Sequence, residues 1–113
     1  MGDAKQRGME GCRKRRYVGI HPHLFEQAVN RGLYRRLENC RKDVIGAVNG
    51  RGALLPEPEE DRFLCVFRNS ENGRMCTVPV TGGGGAFIAI TIWESSEWEK
   101  KRYKSEKSQL TDR

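Results

Sequence analysis

The sequence predicts an α+β domain in which helices cover one face of a three- to four-stranded antiparallel sheet. In the first half of the chain, apolar residues recur every three or four positions, as in amphipathic helices. Strand-forming residues dominate positions 62–93, and a charged segment follows them. The predicted order is therefore two N-terminal helices, the sheet and a C-terminal helix.

The first two elements are predicted to be helices. Pro22 suits a first helical turn, and Gly32 suits a helix C-cap, so we place a helix from about His23 to Arg31. A second apolar stripe predicts a helix that stops at Asn49-Gly50. It comprises Leu33, Leu37, Cys40, Val44 and Val48.

The sheet is predicted from the next part of the chain. Ala53–Leu55 is a candidate edge strand, and Arg62–Arg68 and Arg74–Val80 form a hairpin through the loop Asn69–Gly73. After the glycines of 82–85, Ala86–Trp93 is apolar on both alternating faces. This pattern predicts the central strand of the sheet, covered on both sides.

The last helix is predicted from Ser95 to about Lys107. Ser96 and Glu99 have the spacing of a capping box, in which each side chain bonds the backbone N–H of the other residue. Trp98 and Tyr103 are available to pack on the sheet. The ordered domain is therefore predicted to span 21–107, with a polar tail at 108–113.

The charge distribution singles out the N-terminus. The net charge is +6, and residues 1–20 carry six basic and two acidic side chains. We expect a basic arm at 1–20, disordered until it binds a polyanion such as nucleic acid. Its candidate binding residues are Arg13, Lys14, Arg15 and Arg16. The alternative is a solvated tail without a partner.

Other features limit the class of protein. No apolar run approaches the ~18 residues of a membrane span, and the N-terminus lacks the apolar core of a signal peptide, so we expect a cytoplasmic location. The four cysteines form no CxxC pair, which favours free buried thiols, with a Cys65–Cys76 bridge as the alternative. Neither a cofactor motif nor a standard metal-ligand spacing is present, so no cofactor or metal is predicted.

Basic side chains are the remaining candidates for chemistry. Metal-independent RNA cleavage needs a base, an acid and cations that stabilise the phosphorane, and His, Tyr, Lys and Arg can supply all of them. The candidate catalytic residues are His23, Lys101, Arg102 and Tyr103, and the candidate substrate-binding residues are Arg62, Arg68, Arg74 and Lys100. The alternative for each is a solvated surface side chain or a helix ion pair.

The order of motifs resembles the BrnT-like toxins and related small domains of the RelE ribonuclease superfamily. His23 stands eight residues before Arg31-Gly32-Leu33, and Arg102-Tyr103 resemble the end of that family's pattern. An acidic proline-bearing loop, a hairpin and a strand rich in Ile and Thr lie between them, while Gln27 replaces an arginine frequent in the family. The resemblance implies a RelE-like fold. Our hypothesis for such a domain is a site on one sheet face that comprises His23, Arg62, Arg68, Lys101, Arg102 and Tyr103.

The same resemblance implies a metal-independent endoribonuclease of the messenger-RNA interferase type. Such a toxin is held inactive by a small antitoxin protein. Two alternatives remain. One is a non-catalytic nucleic-acid-binding module that uses the basic arm, and the other is a partner-dependent structural protein with an open sheet edge at Ala53–Leu55. A homodimer is compatible with each of these readings.

Overall fold

The computed structural model describes residues 16–83 and 85–111. In these residues the protein has three α-helices and a six-stranded sheet. The helices are α1 (Pro22–Asn30), α2 (Leu37–Gly46) and α3 (Glu97–Thr111). The strands are β1 (Tyr17–Ile20), β2 (Ala53–Glu57), β3 (Arg62–Arg68), β4 (Met75–Gly83), β5 (Ala86–Ala89) and β6 (Trp93–Glu94). A π-helical turn, Ala47–Arg51, extends α2, and a 3-10 turn, Pro58–Glu60, follows β2.

The α+β class is confirmed, but the sheet is mixed and has more strands than predicted. Its order is β1-β5-β4-β3-β2, and β6 pairs with β4. β1 runs parallel to β5, with Tyr17 opposite Ala86, whereas the other pairs are antiparallel. Tyr17–Ile20 are predicted from the sequence to belong to the basic arm. These residues form a strand because β5 offers them a partner that is distant in sequence.

Helices cover both faces of the sheet, so the predicted one-sided arrangement is wrong. Cys65 and Phe67 of β3 pack in a core with α1 and α2, while Leu64 and Val66 pack in a second cluster with Tyr103 of α3. Successive side chains of a strand point to opposite faces. Because Leu64 to Phe67 are all apolar, β3 needs cover on both sides, and α3 supplies the second layer.

The stretch 86–93 is not the central strand. β5 ends at Ala89 and lies one position from the sheet edge, whereas β4 is buried from Met75 to Val80. Phe87 and Ala89 face the core, but Ile88 and Ile90 are 54% and 49% exposed. The main contacts of α3 are with β2 and β3, which leaves these two side chains half exposed.

The helix boundaries follow local signals in the sequence. His21 caps α1, its Nδ1 accepting a hydrogen bond from the His23 N–H at 3.0 Å, and Pro22 occupies the first turn. Gly32 follows the end of α1 with a φ of 68°, and Gly50 lies within the turn after α2 with a φ of 129°. Both values lie in the left-handed region that glycine adopts without strain.

The hairpin loop between β3 and β4 is tied to the connection between α1 and α2. The carboxylate of Glu71 accepts hydrogen bonds from the backbone N–H groups of Arg35 and Arg36, at 2.8 and 3.0 Å, and from the side chain of Asn39. The bond from the Arg35 N–H is the main reason that the pKa of Glu71 is lowered. Asn69 is buried and donates to the Leu33 carbonyl.

The three described cysteines are free and buried, which confirms the favoured interpretation for this part of the chain. Burial is the main cause that raises the pKa of Cys40 and Cys65 to about 12 and that of Cys76 to about 11. These thiols are therefore protonated at neutral pH and poor nucleophiles. Cys12 lies outside the described residues. Within the described ranges, no helix has the length and apolar character needed to cross a membrane.

Candidate nucleic-acid interface

A basic groove lies between the end of β3 and one flank of α3. Its volume is about 200 Å³. It is lined by Arg68, Met75, Glu97, Lys100, Lys101, Tyr103 and Lys104. Four of these side chains are cationic and one is acidic, so the groove favours an anion.

A second hollow adjoins this groove, because the two share Arg68 and Tyr103. Its volume is about 230 Å³. It is lined by Asp43, Ala47, Arg51, Phe67, Arg68, Ser70 and Tyr103. We call the two hollows together the Tyr103 groove. Of the described residues, five cations and two carboxylates line it.

The strand and helix boundaries explain where these cations lie. The pairing of β2 with β3 begins at Ala53 and Val66, so Arg68 lies beyond the part of β3 that pairs with β2. Its Nη1 donates to the Gly73 carbonyl at 2.8 Å, which holds the side chain beside the hairpin loop. Lys100 and Lys104 are four residues apart on α3, and this spacing places them on one helix flank.

The start of α3 is fixed by a buried cluster of hydrogen bonds. Glu99 is only 6% exposed and accepts bonds from the Ser96 N–H at 2.8 Å and the Thr77 hydroxyl at 2.9 Å. In return, the Ser96 hydroxyl accepts from the Glu99 N–H at 3.2 Å. The predicted capping box is confirmed, and the bond to Thr77 connects it to β4.

Tyr103 is half-buried at the centre of the groove. Its ring packs against the cluster that contains Leu64, Val66 and Met75, and the Lys107 Nζ lies 5.7 Å from the ring centroid. The ring therefore already contacts apolar side chains and the Lys107 ammonium group. Its phenol group can both donate and accept a hydrogen bond.

Asp43 of this groove has a structural role. It accepts hydrogen bonds from the Tyr34 hydroxyl and from the Ser70 N–H, the latter at 2.8 Å. Burial, followed by the bond to Asp43, raises the pKa of Tyr34 far above its ordinary value. Tyr34 therefore remains a neutral donor, and Asp43 joins α2 to the hairpin loop.

The predicted site residues do not converge on one sheet face, and that prediction is wrong. Lys100, Lys101, Tyr103 and Arg68 line the Tyr103 groove. His23 lies on α1, which covers the other face of the sheet, and its Nδ1 is 3.8 Å from Glu26 Oε1. Both faces of the sheet are covered, so residues on α1 and α3 are separated by the sheet itself.

The other predicted cations have separate positions. Arg62 begins β3, at the opposite end from Arg68, and pairs with Glu57. Arg74 lies 3.9 Å from Glu94, and the Arg102 guanidinium lies 5.6 Å from the centroid of the Trp98 ring. None of the three lines the Tyr103 groove.

Arg16 is held against the domain. Its Nη1 donates to the Val48 carbonyl at 2.9 Å, and its guanidinium lies 5.6 Å from the centroid of the Phe87 ring. The remaining arm residues of the prediction, Arg13, Lys14 and Arg15, lie outside the described residues.

Two cations of the groove are absent from the sequence-based site. Lys104 follows Lys100 by four positions, and this helical spacing is a signal that finds it. Arg51 comes from the turn after α2, and only the packing of that turn beside β3 brings it to the groove. No local pattern indicates Arg51.

In residues 16–83 and 85–111, no group of three or more His, Cys, Asp or Glu side chains is placed to hold a metal ion. Comparison with protein-family models, with curated proteins and with solved structures finds no match to this chain.

Proposed function

We propose that the protein binds RNA through the Tyr103 groove. The observation that carries the proposal is the arrangement of Arg51, Arg68, Lys100, Lys101 and Lys104 around a groove to which the described residues contribute only two carboxylates. Asp43 is engaged by Tyr34 and Ser70, and Glu97 lies 3.5 Å from the Lys100 Nζ. The groove therefore keeps a net positive charge that complements phosphate.

The energetics of such binding come mainly from counterion release. Each phosphate neutralised by Lys or Arg liberates condensed cations, so affinity falls steeply with salt concentration. Arginine adds two parallel hydrogen bonds to phosphate oxygens, whereas lysine acts as a point charge. Arg68 and Arg51 would orient the backbone, and the lysines of α3 would attract it. The resemblance to RelE-type domains favours RNA over DNA as the ligand.

Metal-independent endoribonuclease activity is the second candidate. The observation in its favour is that Tyr103 lines a groove together with cations that would stabilise a phosphorane. In this reading Tyr103 moves a proton, and Arg68 with Lys101 offsets the developing charge. The resemblance extends the proposal to a RelE-like, BrnT-like toxin of the cytoplasm with a small antitoxin partner. His23 lies away from the groove and has no role in this mechanism.

Binding is tested with a fluorescein-labelled single-stranded RNA and two matched double variants. We expect Arg68→Ala with Lys104→Ala to weaken binding about tenfold and to reduce the salt slope by one to two, at about one unit per lost phosphate contact. The control, Arg35→Ala with Lys42→Ala, removes the same charge outside the groove. Equal losses in both variants would contradict the proposal, because they would reflect net charge alone.

A deletion separates the groove from the basic arm. A chain that lacks residues 1–15 keeps the Tyr103 groove, so we expect it to retain RNA binding that still responds to Arg68→Ala. Binding that disappears with the deletion would instead support the module whose arm makes the contacts.

Cleavage is tested with the same RNA in EDTA and with Tyr103→Phe. The variant keeps the ring that packs on Met75 and loses the hydroxyl. If the protein is a nuclease, we expect at least a hundredfold loss of cleavage with unchanged RNA binding, as for a lost proton-transfer group. Unchanged cleavage in the variant would exclude Tyr103 as the proton carrier. If the wild type binds the RNA without cleaving it, the endoribonuclease proposal is wrong and the RNA-binding proposal stands.

A further inference from the structure

The outer edge of β1 lacks a partner strand among the described residues. β1 is the first strand of the sheet order and pairs only with β5. The N–H groups of Tyr17 and His21 donate to Gly85 and Ala89 of the β5 side, at 2.7 and 2.9 Å. In a parallel pair, every second residue of a strand directs its N–H and C=O groups toward the neighbouring strand. Tyr17, Gly19 and His21 direct theirs toward β5, so the N–H and C=O groups of Val18 and Ile20 point away from the sheet.

A side chain occupies the start of this edge. The Arg16 N–H donates to Asn49 Oδ1 at 2.6 Å, and Asn49 Nδ2 donates back to the Arg16 carbonyl at 3.2 Å. The Asn49 carboxamide thus bonds both backbone groups of Arg16, as a neighbouring strand would. Arg16 is therefore not available to pair with an added strand, and the unpaired part of the edge begins at Val18.

A hollow of about 690 Å³ lies alongside the open edge. It is lined by Arg16, Tyr17, Val18, Gly19, Ile20, Phe25, Arg41 and Ile45. Phe25 and Ile45 are partly buried apolar side chains of α1 and α2, and Tyr17 is 71% exposed. Among the residues that the structure describes, the lining includes two arginines and no acidic side chain, so it is apolar and positively charged.

We propose that this edge binds an acidic peptide segment in extended conformation, which adds as a strand beside β1. Backbone groups of the peptide would pair with the N–H and C=O groups of Val18 and Ile20. Its alternate apolar side chains would contact Phe25 and Ile45, and a carboxylate would pair with Arg41. Among the described residues, Arg41 forms neither a hydrogen bond nor an ion pair. This proposal does not depend on RNA binding, which uses a different groove.

Charge argues against a second copy of the chain as the occupant. Two β1 edges joined about a twofold axis would bring two Arg16 and two Arg41 side chains into one region, and like charges opposite each other oppose pairing. The other sheet edge is less suited to strand addition, because β2 contains Pro56, which has no N–H to donate.

The probe is a fluorescein-labelled eight-residue peptide with glutamates at both ends and alternating valine and threonine between them. We expect this peptide to bind, whereas a peptide with terminal lysines should not. N-methylation of the valines should weaken binding of the glutamate-ended peptide at least tenfold. Arg41→Glu should weaken binding at least tenfold, whereas the matched control Lys42→Glu, which lies outside the hollow, should change it less than threefold. Fluorescence polarisation measures each case.

Amide hydrogen exchange locates the bound peptide. We expect the N–H groups of Val18 and Ile20 to exchange at least tenfold more slowly in the complex, while that of Gly19, already bonded to β5, changes little. Binding without this slowing would overturn strand addition. Slow exchange in the free protein that depends on protein concentration would assign the edge to a second copy instead. Equal binding of the lysine-ended peptide would also overturn the proposal.

Discussion

Glu71 shows how one half-buried carboxylate organises a loop. Its carboxylate accepts hydrogen bonds from the two backbone N–H groups that precede α2 and from the side chain of Asn39. A residue of the β3–β4 hairpin thus holds the chain before α2 in place. These bonds favour the charged form and lower the pKa of Glu71. Its contribution to stability is therefore present above the pKa of the unfolded chain and is lost as the pH falls through the lowered folded pKa.

We expect Glu71→Gln to lower the thermal midpoint at pH 7, because the amide carries no charge and keeps only one acceptor oxygen. The difference from the wild type should shrink as the pH falls below about 4.5, the ordinary pKa of this carboxyl. Calorimetry at several pH values measures it. Glu59→Gln, in the exposed turn after β2, is the control and should show no such trend. A difference that persists at pH 2 would contradict the explanation.

The start of α3 is an element whose local signal could be identified from the sequence. Ser96 and Glu99 form the expected reciprocal bonds, but the Thr77 hydroxyl and the Trp93 ring N–H also donate to the same carboxylate. The capping box thus anchors α3 to β4 and β6. The sequence could not predict this, because Thr77 is distant along the chain.

We expect Ser96→Ala to lower the free energy of unfolding by about 1 kcal/mol, the usual loss for an N-cap. Glu99→Ala should cost more, about 2 to 3 kcal/mol, because it leaves buried donors without an acceptor. The control is Glu97→Ala in the same first turn, which should cost about 0.5 kcal/mol through the helix dipole. Urea denaturation measures all three. Equal effects of Glu97→Ala and Glu99→Ala would show that the buried cluster contributes nothing.

At the scale of the whole molecule, the second helical layer covers only part of the sheet. α3 packs on β2 and β3, so Ile88 and Ile90 of the neighbouring region remain about half exposed. The apolar pattern of 86–93 predicts a strand buried on both faces, because periodicity depends on side-chain type and contains no information about which face a distant helix covers.

The incomplete cover predicts unequal costs of substitution. We expect Ile88→Thr and Ile90→Thr each to change the free energy of unfolding by less than about 1 kcal/mol, as for surface positions. Leu24→Ala, at a fully buried position of α1, should cost about 2 to 5 kcal/mol. Urea denaturation compares them. A large cost at Ile88 that depends on protein concentration would show that self-association covers this face.

The candidate site, too, could be predicted from the sequence only in part. Lys100, Lys101 and Lys104 could be grouped from helical spacing alone, whereas the addition of Arg51 and the exclusion of His23 required the tertiary arrangement. The RelE-like resemblance rests on motif order, which places segments along the chain but not on the two faces of a sheet. The strand at Tyr17–Ile20 could not be predicted either, because its four residues directly follow a basic run and are too few to show a period of their own.

The parallel pairing of β1 with β5 also bears on the order of folding during synthesis. β1 is made near the beginning of the chain, but its partner residues, Ala86–Ala89, are made near the end. Nearly every other described element lies between them, so the loop that this pairing closes is the longest in the sheet. On a ribosome, α1, α2 and the β2–β3–β4 meander can assemble first, and β1 must wait. The edge strand therefore joins late, and contacts of such high sequence separation slow folding.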